Sequence, residues 1–216
     1  MKPYILLVLM LCTIVTFGQH KPFQFGFRAG INVGWLKTDS ENYSNNGAKI
    51  GGSWGFVADF FIMEGYSFTT GFDVNYINGS LDRPMEGNAN IMMVRDIKTR
   101  YVTLPLIFTM KTKPIKEKFR IYGQVGFGLS FLLSAKATDQ YTSSEGEKVN
   151  NTKSITSDLT VTRESLILGA GIELPIQRST VVRIGIKYDN CFINILKGND
   201  AKAKNNFFEF NLAVLF

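Results

Sequence analysis

Bulky apolar residues recur at every second position in eight separate stretches of the chain. In FQFGFRAGINVGW (23–35), Phe23, Phe25, Phe27, Ala29, Ile31, Val33 and Trp35 share one side of an extended strand. Gln24, Gly26, Arg28, Gly30, Asn32 and Gly34 share the other, because successive side chains of a strand point to opposite faces. The same period runs through 50–62, 68–76, 102–110, 119–133, 166–174, 182–192 and 207–216. Each stretch predicts a strand, and several are longer than the five or six residues usual in globular sheets but suited to a tilted crossing of a bilayer.

The second face of these strands decides where the first one points. It carries Arg28, Asp59, Asp73, Arg120, Glu173, Arg183, Lys187, Asp189 and Glu209 among glycine and serine. Nine charges cannot all be buried in an apolar core, but they can pair with one another in the narrow interior of a small barrel. The connections alternate between long (38–49, 78–96, 135–161 and 197–206) and short (63–66, 111–118 and 175–180), as they do when an up-and-down barrel has long loops at one end and tight turns at the other. The fold expected is therefore all-β: an eight-stranded antiparallel up-and-down transmembrane β-barrel in the cell outer membrane, apolar face to lipid, with both termini periplasmic. Trp35, Trp54 and Tyr76 are expected at the outer rim, and Phe23, Tyr66, Phe119 and Phe216 at the inner. The last strand places Phe210, Leu212, Val214 and Phe216 on the lipid side, a pattern similar to the C-terminal signal that outer-membrane barrels offer to the barrel-assembly machinery.

The N-terminus adds a destination. Lys2, the apolar run from Tyr4 to Phe17, and small residues at 16 and 18 have the three-part layout of a secretory signal peptide with cleavage after Gly18. The expected organisation is a signal peptide over 1–18 and one barrel domain over 19–216. Without the signal peptide, Cys191 is the one cysteine, so no intrachain disulfide is expected. The net charge of +6 comes from 24 basic and 18 acidic residues that are interspersed, which does not make the basic stripe of a nucleic-acid binder. Export makes nucleic acid an unsuitable partner as well.

The chemical inventory points away from catalysis. His20 is the one histidine and falls outside every predicted strand, so histidine-dependent acyl transfer or proteolysis lacks its general base. No His/Cys cluster or calcium-loop pattern is present, and no cofactor is expected. Asp73 and Glu173 could be imagined as an acid–base pair, but charges in a small lumen usually form structural ion pairs. Eight strands leave an interior about filled by side chains, so an open channel is not expected. Recognition is left to the ends: the polar loop 135–161, and the turn carrying Lys111, Lys113, Lys116 and Lys118, which could meet lipid headgroups or an acidic partner.

FGFRAGINVGWL, YVTLPLIFTMK (101–111) and the glycine-rich strands around Gly126 to Gly128 and Gly169 to Gly171 resemble the PorT-like outer-membrane β-barrels of Bacteroidetes-type bacteria. That resemblance implies a non-enzymatic accessory or assembly component of a type IX secretion or gliding apparatus. Its partners would be outer-membrane lipid, the barrel-assembly machinery and periplasmic or outer-membrane secretion-complex proteins. The alternatives are a stand-alone surface-recognition or envelope-stabilising barrel acting through its extracellular loops, and a soluble lipocalin-like carrier.

Overall fold

The computed structural model describes residues 22–40, 43–85, 88–142, 148–177, 179–197 and 202–216. The expected signal peptide, with its cleavage site, and His20 lie outside these residues. The strands are β1 (Phe23–Thr38), β2 (Ser44–Met63), β3 (Tyr66–Met85), β4 (Asn88–Lys111), β5 (Arg120–Thr142), β6 (Lys148–Ser154), β7 (Thr162–Pro175), β8 (Val181–Cys191) and β9 (Ala203–Leu215). All pairings are antiparallel. The order β4-β3-β2-β1-β9-β8-β7-β5, closed by β4 against β5, makes a ring of eight, and β6 hangs from β5 outside that ring. Phe61 N–H donates to Pro22 O (3.0 Å) and Phe216 N–H to Phe25 O (2.8 Å), so the first and last described residues sit at one end of the barrel, here the terminal end. The opposite one is the loop end.

The apolar face of every ring strand points outward. Phe27 is 67% exposed, Ile31 65%, Phe127 57% and Phe210 59%, and their neighbours continue the belt around the barrel. A soluble protein does not expose a continuous apolar girdle of this size, and no pocket-lining role is left for these side chains. Trp35, Tyr188 and Phe208 cluster on the outer wall toward the loop end, with Tyr188 and Phe208 centroids 4.8 Å apart. Tyr66 and Phe108 stack at 5.9 Å toward the terminal end. Trp54 lies deeper than expected for a rim residue: it is opposite Ala29 and Val74, and the exposed Ile50 lies beyond it.

The long connections are the main departure from the sequence reading. Most of the stretch 78–96 continues the β3–β4 pairing, which runs out to Met85 opposite Asn88. Likewise β2 starts at Ser44, and 135–161 contains the end of β5, all of β6 and a single 3-10 turn (Thr156–Asp158). The physical reason is an inversion of polarity along each strand. Beyond the apolar belt the wall meets water, so the inward positions become apolar (Leu36, Ile77, Leu81, Ile97) and the outward ones polar (Asn78, Lys98, Lys136). A bulge helps: the register between β4 and β5 shifts between Arg100 and Tyr101, which leaves Leu133 as an extra outward residue and changes the phase of β5, so that Ala135 and Ala137 turn inward and Lys136 outward.

Facing is testable by a sided pair of substitutions. Phe127→Arg, at the lipid wall, should destabilise the barrel by about 2–4 kcal/mol in bilayers, whereas Gln124→Asn, on the inner face, should cost little. Urea unfolding midpoints in vesicles measure both, and equal losses would contradict the outward face.

Candidate functional site

Every strand of the ring contributes to a lumen filled with charge. Toward the terminal end, Arg183 bridges Asp59 (2.6 Å) and Glu173 (2.8 Å), and Lys111 bridges the same two carboxylates (3.2 and 2.8 Å). Thr69 Oγ donates to Asp59 at 2.5 Å and contacts Thr109 Oγ at 2.7 Å, which extends the cluster to β3 and β4. Midway, Arg28 pairs with Asp73, and Lys187 with Glu209 across the β8–β9 register at 3.0 Å. Toward the loop end, Arg163 donates to Asp189 (2.5 Å), to the Asn205 side chain (2.5 Å) and to the Asn205 carbonyl (2.9 Å). Five cations (Arg28, Lys111, Arg163, Arg183, Lys187) thus meet five carboxylates (Asp59, Asp73, Glu173, Asp189, Glu209), all almost fully buried. Matched pairing is what makes so many buried charges tolerable.

Glycines give these long side chains their room. Gly171 and Gly185 are register partners on β7 and β8, and the Tyr122 hydroxyl lies over both, 2.7 and 2.0 Å from where a Cβ would stand. Tyr122 can therefore reach across the lumen and offer its ring to the Arg183 guanidinium, 5.1 Å from the centroid. A side chain at position 185 would collide with that hydroxyl.

An apolar cluster lies over the loop end of this polar column, and a smaller one lines its wall toward the terminal end. Val57, Val181, Ala213 and Leu215 pack together toward the terminal end. At the loop end Leu36, Leu81, Ile97, Ala135 and Ala137 from the wall enclose Ile155, Leu159 and Ile195 from the connections. Those connections are fixed across the mouth: Leu159 bridges Leu196, Thr160 N–H donates to Ile195 O (2.9 Å), Lys197 N–H to Asp158 O (2.8 Å), and Ala203 N–H to Asn194 Oδ1 (2.7 Å). Further out on the inner face, Arg95 Nη2 reaches Asp139 Oδ2 at 2.5 Å. Burial opposes ionisation of Asp139, and the hydrogen bonds and charge of Arg95 outweigh it, holding that carboxyl below its ordinary range.

The residues singled out in the sequence fall as follows. Arg28, Asp59, Asp73, Glu173, Arg183, Lys187, Asp189 and Glu209 face the lumen together. Arg120 does not join them: it opens β5 at the terminal mouth, is half-buried and, among the described residues, forms no ion pair, because its register partner Glu173 is held by Lys111 and Arg183. Lys111 stands apart from the other lysines of its turn: its side chain is 2% exposed and turned inward, while Lys113, Lys116 and Lys118 are exposed. Its position on the inward phase of β4, with Thr103, Ile107 and Thr109, was the available signal. Arg163 was missed because it precedes the alternating stretch that begins at Leu166. Phe210, Leu212 and Phe216 are exposed on the outer wall, and Val214 is half-buried on the same face. Asp73 and Glu173 are each held by cations, which leaves neither free as an acid or base. Cys191 is buried in the loop-end cap, its thiol donating to Ile193 O at 3.2 Å.

A closed, lipid-facing ring with a charged lumen agrees with the family whose model matches residues 17–197, described as the outer membrane protein beta-barrel domain. The chain belongs to that family. Its place is accordingly the outer membrane. No curated protein matches the sequence. Among solved structures, the outer-membrane barrel is similar to neisserial surface protein A (13% identity, TM-score 0.47, covering 91% of this chain and 98% of that one). It is also similar to OprG from Pseudomonas aeruginosa (12%, 0.49, 91% and 97%) and to the outer membrane protease OmpT from Escherichia coli (10%, 0.41, 93% and 99%).

Two substitutions probe the lumen. Asp59→Asn leaves Arg183 and Lys111 competing for Glu173, and loss of one partner from such a buried cluster should cost about 3–5 kcal/mol, against less than about 1 kcal/mol for Lys49→Gln in the half-exposed rim pair with Asp96. Gly185→Val should displace Tyr122 at a cost of about 1–3 kcal/mol. Denaturant midpoints of the refolded barrel read all three, and a mild Asp59→Asn would refute the coupling of the cluster.

Proposed function

We propose that this outer-membrane barrel is a non-enzymatic accessory or assembly component of a secretion or surface complex, acting through its ends and not through its lumen. The filled interior carries this reading: paired charges occupy the lumen, and an apolar core covers its loop end. Among the described residues each lumen carboxylate is held by a cation, which leaves the outer wall and the loop end as the surfaces to be used. The specific link to a type IX secretion or gliding apparatus rests on the likeness to PorT-like barrels. In this reading the loop end faces the cell exterior, both termini face the periplasm, and Phe210, Leu212, Val214 and Phe216 are read by the barrel-assembly machinery during insertion.

A stand-alone surface-recognition or envelope-stabilising barrel is the second reading, favoured by the ordered β5–β6 hairpin, which stands outside the ring at the loop end. Ala137 and Lys153 are register partners, so a Gly-Gly turn can join them and remove the tip. Under the first reading, deleting the gene changes the secreted and surface proteins, and the shortened chain restores them. Unchanged secretion on deletion, with ligand or cell binding lost on shortening, would select the second.

Sidedness has its own measurement. Asn150→Cys places a thiol on the exposed hairpin while Cys191 is buried, so a membrane-impermeant maleimide should label the variant in intact cells. Labelling only after the outer membrane is permeabilised would reverse the orientation.

A further inference from the structure

We infer that the outer wall carries a binding site for the phosphate groups of anionic lipid headgroups, formed by Lys98, Arg100 and Lys136. On β4 the outward apolar series Met110, Phe108, Leu106, Leu104 and Val102 ends, and the next two outward positions are Arg100 and Lys98. On β5 the outward series ends at Leu133, and the next exposed position is Lys136. The three cations therefore stand at the depth where acyl chains give way to headgroups.

Register brings them together. Lys98 is directly opposite Lys136, and Arg100 follows two residues along β4, opposite Ser134. Like charges directly opposite across two strands destabilise a sheet, unless an anion lies between them. The protein supplies none: among the described residues neither lysine nor Arg100 has an ion-pair partner, and the nearest outward acid in sequence, Asp96, is occupied by Lys49 (3.1 Å) and Ser80 (2.7 Å). Arg100 is held ready by Tyr76, its guanidinium 5.4 Å from the ring centroid. A guanidinium fork between two point charges suits a phosphate, which can accept from all three. The site is continuous with the lipid-facing belt, which favours a lipid over a soluble polyanion as its occupant.

The test uses the folded full-length mature chain in a zwitterionic detergent, titrated by native mass spectrometry with dioleoyl phosphatidic acid and, in parallel, dioleoyl phosphatidylcholine. The wild type should prefer phosphatidic acid, and the preference should weaken with salt. Lys98→Gln/Arg100→Gln/Lys136→Gln should lose about a hundredfold in affinity for phosphatidic acid, and Lys136→Gln alone about fivefold, which carries the test should the triple variant fail to fold. Lys113→Gln/Lys116→Gln/Lys118→Gln, at the terminal end, should lose little. Equal binding of the two lipids, unchanged affinity in the Lys136 and triple variants, an equal loss in the terminal-end variant, or a preference for heparin over phosphatidic acid would each overturn the assignment.

Discussion

Backbone polar groups in a bilayer have no water to turn to, and that requirement shapes the rest of this protein. A sheet satisfies it only by closing on itself, which the chain does by pairing β9 with β1 and β4 with β5. Closure at eight strands fixes a narrow interior. Everything inside must then be packed or paired, because too little space remains for the charges to be hydrated. The matching of five cations to five carboxylates, and the glycines that admit Tyr122 among them, follow from that confinement.

The same strands serve two solvents. Within the belt they are apolar outside and polar inside, and beyond it the order reverses, with Leu81 and Ile97 inside and Lys98 and Lys136 outside. Where the two regimes meet, the barrel carries a bulge at Leu132–Leu133 and an arginine held against a tyrosine. The loop-end half is thus built like a small soluble protein, with an apolar core formed by Leu36, Ile97, Ile155, Leu159 and Ile195. It seals the polar half beneath it.

Alternation marks eight strands and sorts the residues of each into two faces, because a period of two is a local property that backbone geometry imposes on each strand. The charges on the second face and the long-short rhythm of the connections turn the apolar face outward and imply the closed barrel. The inward placement of residues such as Asp59, Glu173 and Arg183 was legible for the same reason. Tertiary structure alone decided who pairs with whom: Asp59 and Arg183 are 124 positions apart, and only register around the ring brings them to 2.6 Å. It also excluded Arg120, admitted Lys111 and Arg163, and placed much of the apparent loops 78–96 and 135–161 in strands. Polarity in a sequence reports the solvent on each face, and where that solvent changes from lipid to water is fixed by the assembled barrel, not by any one segment of chain.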